Sequence, residues 1–147
     1  MAGAKRFTEL AAWRRAHELQ LLCEELLKNP RVQRDFQFRD QLSGAASSGP
    51  RNIAEGFGRF RPRENAQYVR VAKGSENEIL TLFIEAQTKG YIVPEEFPRF
   101  ETAANRAIGT AVGYLKYLEN CDRDGPSKPP PKRRKQPRRT EPRNPGT

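Results

Sequence analysis

The stretch PRENAQYVRVAKGSENEILTLFIEAQTKG, residues 62–90, carries the signals that decide the fold. Pro62 suits the first turn of a helix, where its missing N–H group would have no intrahelical partner. Gly90 is the residue type expected where a chain leaves a helix in the left-handed conformation. Apolar residues recur between these two signals at helical intervals. The stretch therefore predicts one long helix from Pro62 to Lys89.

The run ILTLFI, residues 79–84, makes this helix unusually apolar. Its five apolar side chains spread over about 200° of the circumference when successive residues turn by roughly 100°. A helix in an isolated bundle buries a narrower stripe. We therefore expect a second face of this helix to contact another subunit. Deeper burial within one subunit is the alternative.

Three further helices follow from apolar periodicity and from their end signals. The first begins after Thr8, as its N-cap, and runs to about Lys28; the second begins near Phe38; the last opens around residues 94–96 and ends near Asn120. Their predicted inward residues are Ala12, Trp13, Ala16, Leu19, Leu22, Cys23, Leu26 and Leu27, then Leu42, Ala45, Ala46, Gly49 and Ile53, and finally Phe97, Phe100, Ala104, Ala107, Ile108, Ala111, Leu115 and Leu118.

No alternating strand pattern competes with these helices. Four amphipathic helices with short connections favour an antiparallel up-down-up-down bundle. The fold class is therefore all-α, with a four-helix bundle over residues 1–121 and a separate tail over residues 122–147.

The stretch GPRNIAEGFGRF, residues 49–60, interrupts the helical pattern. It lacks the preceding strand and the following Lys-Ser/Thr pair of a phosphate-binding loop. We interpret it as a structural joint in which Pro50 bends the second helix. Asn52 and Glu55 would satisfy the freed backbone groups, and Gly56 with the next glycine would let the chain leave the helix. A ligand site is the less favoured alternative.

The formal charge of +9 is concentrated at the C-terminal end. Residues 122–147 hold nine of the 27 Lys and Arg residues, three of the 18 acidic residues and seven of the 12 prolines, and no apolar residue that would anchor them to a core. This composition predicts a disordered tail. The preceding 121 residues carry a net charge of only +3.

The sequence favours neither membrane insertion, secretion nor catalysis. It contains no long apolar segment and no secretory leader, so we expect a soluble, cytoplasmic protein. Cys23 and Cys121 are too far apart to suggest a zinc site and are expected to be buried. His17 lacks the surroundings of a phosphotransfer acceptor. Glu55 and Glu78 are expected to form buried or inter-subunit salt bridges with arginine. We predict no catalytic residue, no metal site and no cofactor.

Basic residues are the strongest functional lead. Guanidinium and ammonium groups contact phosphates, and the nearby aromatic residues Phe57, Phe60 and Tyr68 can stack on unpaired bases. A solvated face balanced by Glu64, Glu76 and Glu78 is the alternative. The candidate nucleic-acid-binding residues are Arg51, Arg59, Arg61, Arg63, Arg70 and Lys73 in the bundle, and Lys132, Arg133, Arg134, Lys135, Arg138 and Arg139 in the tail.

Four segments in this order carry a family pattern: FTELAAW (7–13), NIAEGFGR (52–59), YVRVAKGSENEI (68–79) and KGYI (89–92). Over about residues 7–119 the chain resembles the four-helix bundle proteins encoded by intervening sequences within bacterial large-subunit ribosomal RNA genes. The same superfamily includes the accessory variability proteins of diversity-generating retroelements. The glycine-containing run before Pro50 and the long basic tail depart from the usual pattern.

The resemblance implies a non-enzymatic bundle that assembles into a homopentamer with a basic surface. In the retroelement branch it implies an accessory factor that binds a reverse transcriptase and its RNA. The residues that carry the motif, and to which the resemblance gives a structural role, are Asn52, Glu55, Gly56, Gly74, Ser75 and Glu78. A protein-interaction scaffold, whose basic tail binds an acidic protein surface and not nucleic acid, is the other interpretation.

Overall fold

The computed structural model describes residues 3–121 and is helical throughout that range, with no strand among those residues. A short 3-10 turn at Phe7–Glu9 precedes five α-helices, four of which are long. The predicted tail and its six candidate residues lie outside the described residues. The helices are α1 Ala11–Leu27, α2 Pro30–Arg34, α3 Phe36–Phe57, α4 Pro62–Thr88 and α5 Phe97–Glu119.

The four long helices enclose a shared apolar core. Helices α1 and α4 each pack against both α3 and α5. The core contains two clusters, one around Phe38 and Phe83 and the other around Ile53 and Val69. Burial of these side chains is the main favourable contribution to folding. The predicted helical bundle is confirmed at this level.

The predicted limits of the third helix are confirmed by α4. Pro62 occupies its first turn, Lys89 caps its C-terminal end, and Gly90 follows with φ of 77°. This positive φ is in the left-handed region that favours glycine. The backbone N–H groups of Tyr91 and Ile92 then bond to the carbonyl of Ala86, which ends the helix.

Most of the ILTLFI run lies in the core of its own subunit. Ile79, Leu82 and Phe83 are buried, and Leu80 packs partly against the same cluster. Of the five apolar residues in the run, only Ile84 is exposed, with 51% of its surface accessible. Deeper burial therefore accounts for most of the breadth of this apolar stripe, and little of it remains for a second subunit.

The predicted N-cap of the first helix is wrong. Thr8 lies in the 3-10 turn, and its carbonyl accepts a bond from Arg14 Nε at 2.8 Å. Leu10 occupies the cap position instead, in an extended conformation and without a side-chain cap bond. Its side chain is only 2% exposed. Apolar anchoring at Leu10, and not side-chain capping, thus sets the start of α1.

The second long helix, α3, starts two residues before the predicted position. Asp35 accepts a bond from the Phe38 backbone N–H at 3.3 Å and caps the helix. The short helix α2, which the sequence analysis missed, brings Asp35 to this point, and Asn29 caps α2 through the backbone N–H of Arg31. The five predicted inward residues of α3 are all buried.

The predicted joint is only partly correct. Helix α3 continues past Pro50 to Phe57, so Gly56 is a helical residue and does not release the chain. Asn52 does bond to the backbone, because its Nδ2 donates to the Ser48 carbonyl at 2.8 Å. The carbonyl that Pro50 leaves without an N–H partner, however, is that of Ala46. Glu55 instead pairs with Arg59 at 3.0 Å. Residues 49–57 are therefore the last part of a helix, and residues 58–61 form the turn to α4.

Gly56 permits α3 and α4 to approach each other closely. A Cβ atom at this position would lie 2.6 Å from Asn65 Oδ1, 2.9 Å from Tyr68 Cβ and 3.0 Å from the Asn65 carbonyl oxygen. The backbone oxygen cannot move without shifting α4. Only a residue without a side chain therefore fits at position 56.

The opposite end of the bundle is held by a polar network around the loop from α4 to α5. Asp35 accepts bonds from Lys89 Nζ at 2.9 Å and from the Tyr91 hydroxyl at 2.8 Å. The hydrogen bond from Lys89, followed by that from Tyr91, holds the pKa of Asp35 below its ordinary value. Arg31 donates to the Lys89 and Gly90 carbonyls. This network attaches the α4–α5 loop to α2 and α3.

Substitution of Gly56 by alanine tests the close α3–α4 contact. We expect Gly56→Ala to destabilise the protein by roughly 1–3 kcal/mol, because its Cβ overpacks the contact. Gly44→Ala is the matched control, since a Cβ at Gly44 meets nothing within 4 Å. The control should gain about 0.5–1 kcal/mol from lower unfolded-state entropy and better helix propensity. Urea denaturation measures both, and a Gly56→Ala variant as stable as the control would contradict the contact.

Candidate nucleic-acid interface

The six predicted cations of the bundle lie on the second half of α3, the connection that follows it and the first half of α4. Arg51, Arg61 and Arg63 are exposed, and Lys73 is half-buried. None of these four has an acidic partner within 4 Å among residues 3–121. Their charges are therefore not neutralised by the described part of the chain.

Arg59 is held in a defined position. Its guanidinium pairs with Glu55, bonds to the Tyr68 hydroxyl at 2.6 Å, and lies 5.0 Å from the centroid of the Tyr68 ring. The side chain nevertheless remains 42% exposed. A guanidinium that is fixed on an aromatic ring loses little conformational entropy when it binds an anion. The expected buried salt bridge of Glu55 is wrong, because its pair with Arg59 is exposed and joins the end of α3 to the connection that follows it. A contact of Glu55 with another subunit remains a prediction.

A groove runs between the start of α4 and the end of α5, and we call it the cationic groove. Arg63 and Arg70 are seven residues apart, so they lie two turns apart on one face of α4. Arg70 NH2 pairs with Glu119 at 3.2 Å, which partly offsets its charge. The groove has a volume of about 360 Å³ and is lined by Pro62, Arg63, Ala66, Arg70, Leu118, Glu119 and Cys121.

A second cavity adjoins this groove, and we call it the aromatic pocket. Its volume is about 240 Å³, and Pro62 and Leu118 line both the pocket and the groove. Phe60, at its edge, is 71% exposed, which is unusual for a large apolar side chain. The lining residues are Ala4, Leu10, Phe57, Arg59, Phe60, Pro62, Asn65, Tyr114, Tyr117 and Leu118.

Two buried polar side chains belong to the aromatic pocket. Asn65 Nδ2 donates to the Tyr114 hydroxyl at 2.8 Å, and the two residues are 6% and 3% exposed. Asn65 Oδ1 accepts no hydrogen bond within the described part of the chain. Burial raises the pKa of the Tyr114 hydroxyl, although the bond from Asn65 acts in the opposite direction. Tyr114 therefore keeps its proton and remains a hydrogen-bond donor.

The sequence analysis missed Asn65, Tyr114 and Tyr117. Asn65 was hidden in the polar first turn of α4, and its partner Tyr114 is 49 residues away. One signal was available: position 65 precedes the buried residues Val69 and Ala72 by four and seven residues, on the same face of α4. No periodicity indicates the partner of a buried polar residue.

The family-motif residues divide into two groups. Gly56 and Ser75 support the α3–α4 contact; Ser75 Oγ donates to Ser48 Oγ at 2.7 Å, and Asn52 Nδ2 donates to the same Ser48 Oγ at 3.1 Å within α3. Gly74 and Glu78 are exposed on α4, and a Cβ at Gly74 would meet nothing within 4 Å. Burial of Glu78 in a salt bridge is therefore wrong for this subunit, and a contact with another subunit remains a prediction.

The acid that is buried is Glu76, which the alternative interpretation of the basic cluster placed on a solvated face. Its side chain is 1% exposed, and neither carboxylate oxygen has a hydrogen-bond partner within residues 3–121. It lies at the level of Ala16 and Gly49, between the two apolar clusters. Burial raises the pKa of the carboxyl to about 8, so Glu76 is mostly protonated at neutral pH.

The stability of the bundle should depend on the ionisation of Glu76. Its pKa is higher in the folded state than its ordinary value of 4.5. The unfolded chain therefore releases this proton first, and stability falls between about pH 4.5 and pH 8, by up to about 1.4 kcal/mol per pH unit. Above pH 8 the loss is complete.

Urea denaturation of Glu76→Gln across this pH range tests the effect. The variant should lose this slope and be more stable than the wild type above pH 8, because its neutral amide needs no deprotonation. Glu78→Gln, an exposed change on the same helix, is the control and should retain the slope. Parallel stability curves for the wild type and Glu76→Gln would mean that Glu76 is not buried as described.

The remaining candidate groups are His17 and the two cysteines, and each is buried or half-buried in the bundle. His17 stacks on Trp13 with ring centroids 4.8 Å apart. Cys23 is fully buried, as expected, and burial raises the pKa of its thiol; Cys121 is half-buried. Among residues 3–121, no cluster of three His, Cys, Asp or Glu side chains is placed to hold a metal ion. No helix in this range has the length and apolar character needed to cross a membrane.

The model of the 23S rRNA-intervening sequence protein family matches residues 8–111, which is more than half of the chain. The chain belongs to this family. The matched range covers α1 to α4 and most of α5. The matched range includes Asn65 of the aromatic pocket and both arginines of the cationic groove, whereas Tyr114, Tyr117 and Glu119 lie beyond it. No curated protein matches the chain.

Proposed function

We propose that this member of the intervening-sequence protein family is a non-enzymatic, oligomeric scaffold that binds single-stranded RNA with weak sequence preference. The observation that carries the proposal is the juxtaposition of the cationic groove and the aromatic pocket at one end of the bundle. Phosphates and unstacked bases are the two chemical features of single-stranded RNA that such surfaces bind. The family has an RNA-related name, and this supports RNA over DNA.

An antiparallel up-down-up-down arrangement of the long helices is the fold that we propose for this scaffold. Three contacts support it, because each joins the end of one helix to the start of another. Gly56 near the end of α3 meets Asn65 near the start of α4, Glu25 near the end of α1 pairs with Arg99 near the start of α5 at 2.9 Å, and Arg70 of α4 pairs with Glu119 at the end of α5.

Electrostatic attraction to phosphates would supply most of the affinity. Arg51, Arg61 and Arg63 are exposed and have no acidic partner within 4 Å among residues 3–121. Each phosphate that they neutralise releases a counterion. The basic residues of the predicted tail, within residues 132–139, would add contacts of the same kind. Binding through these groups is sensitive to salt and largely independent of sequence.

Self-association, to a homopentamer, is part of the proposal. Val71 and Ile84 of α4 are about half exposed, and a Cβ at Gly74 on the same helix would meet nothing within 4 Å. Small and apolar side chains of this kind suit a helix contact between copies. A ring would bring several copies of the cationic groove together and strengthen the positive electrostatic potential there. An extended RNA strand could then bind several subunits.

A role as an accessory factor for a retroelement reverse transcriptase is the more specific form of the proposal. The scaffold would hold the template RNA while another surface of the oligomer contacts the polymerase. The alternative is a protein-interaction scaffold with no nucleic-acid role. Pull-down experiments before and after nuclease treatment distinguish the two, because a directly bound protein remains after the RNA is digested.

Fluorescence anisotropy of a labelled single-stranded RNA, titrated over a range of salt concentrations, tests RNA binding. Arg63→Ala should weaken binding at low salt and reduce the slope of log affinity against log salt by roughly 0.7 for the lost phosphate contact. Arg34→Ala is the control, because Arg34 is an exposed arginine on α2, near the other end of α3. No binding at low salt by the wild-type protein, or equal losses in the two variants, would contradict the proposal.

A further inference from the structure

The aromatic pocket has the size of a site for one small ring system. Its volume of about 240 Å³ is below the roughly 300–1,000 Å³ of pockets that hold drug-sized ligands. Phe57 and Phe60 contribute aromatic rings to its lining, and Arg59 lines it as well. Aromatic faces and guanidinium planes are the surfaces on which unpaired bases stack. The pocket therefore suits a flat heterocycle better than an aliphatic chain.

The floor of the pocket offers a hydrogen-bond donor. Asn65 Oδ1 is not available to a ligand, because it is buried against Gly56, where an added Cβ would lie 2.6 Å from it. The Tyr114 hydroxyl already accepts the Asn65 N–H, so its own proton remains available to donate. The edge of every nucleobase presents donors and acceptors close together. A base in this pocket would present an acceptor to the proton of the Tyr114 hydroxyl.

The cationic groove begins where the pocket ends. Pro62 and Leu118 form the boundary, because both line the two cavities. A base in the pocket would therefore have its sugar and phosphate close to Arg63 and Arg70. Glu119 is the one acidic residue that lines this groove, and its pair with Arg70 would loosen when a phosphate arrives.

We propose that the aromatic pocket receives a single unstacked nucleobase of an RNA strand, while the adjoining phosphate lies in the cationic groove. The inference rests on the proposed RNA-binding function and adds a base-dependent contact to its electrostatic attraction. Phe60 supplies an exposed stacking surface, and the Tyr114 hydroxyl, which Asn65 holds in place, contacts the polar edge of the base. The pocket accepts any base that is free of its neighbours, so it selects single strands over duplexes and not one sequence over another.

Three RNA strands of equal charge test this site in the full-length chain. The first carries natural bases, the second is abasic, and the third carries phenyl groups, which stack but form no hydrogen bonds. Each strand has about ten nucleotides, within the range of single-strand site sizes. We expect the natural strand to bind roughly tenfold more tightly than the abasic strand, as stacking of one base implies. The phenyl strand should bind with intermediate affinity, because it leaves the polar floor unpaired.

Phe60→Ala locates the base-dependent contact. This variant should bind the natural and the abasic strand equally, at the affinity that the wild type shows for the abasic strand. Phe36→Ala is the matched control, because Phe36 is also an exposed phenylalanine, at 65%, and lies at the far end of α3. The control should retain the wild-type preference. Thermal unfolding checks that both variants remain folded.

The outcomes distinguish failure of the base-binding pocket from failure of the proposed RNA-binding function. If the wild type binds none of the strands, RNA binding itself is wrong. If it binds the natural and abasic strands equally, or if Phe60→Ala retains the preference or Phe36→Ala loses it, the pocket is wrong although RNA binding stands. A phenyl strand that binds as tightly as the natural strand overturns the role of Asn65 and Tyr114.

Discussion

The close contact between the end of α3 and the start of α4 is the constraint on which the proposed interface depends. Gly56 has no side chain, so the backbone and side chain of Asn65 can lie directly against it. Because this contact fixes the start of α4 beside α3, Tyr68 comes within reach of Arg59, and Asn65 reaches Tyr114 on α5. A bulkier residue at position 56 would move α4 and with it the elements that form both cavities. One glycine thus links the packing of the bundle to the chemistry of its surface.

The middle of the bundle contains a buried acidic side chain and not a cationic surface. There Glu76 is buried between two apolar clusters, next to the small residues Ala16 and Gly49. These residues leave room for a carboxyl group but provide no hydrogen-bond donor for it. The free-energy cost is limited because the group is neutral at physiological pH, as its raised pKa implies. The ionisation of Glu76 therefore affects the stability of the core, at a distance from the end of the bundle that carries the cationic groove.

The sequence predicted those features that depend on local signals. The limits of α4 follow from Pro62 and Gly90, and the buried faces of α1 and α3 follow from apolar periodicity, so these were correct. The start of α1 was wrong because burial of Leu10 prevailed over the capping preference of Thr8. The basic candidates were found from composition and spacing. The aromatic pocket was not, because its residues come together from α3, α4 and α5 and only tertiary packing determines their contacts.

Glu76 shows how residue type can mislead a prediction from sequence. Its position, four residues after Ala72 and three before Ile79, places it on the buried stripe of α4, yet its charge favoured a solvated face. Periodicity was the better guide than residue type here. The central claim is that RNA binds at the end of the bundle that carries the cationic groove and the aromatic pocket. Ultraviolet cross-linking of RNA to the full-length chain, followed by mass spectrometry, tests this claim most directly. Cross-links at Phe57, Phe60 or Tyr117 are the predicted result, and cross-links confined to the other end, at Phe36 or Tyr91, would contradict it.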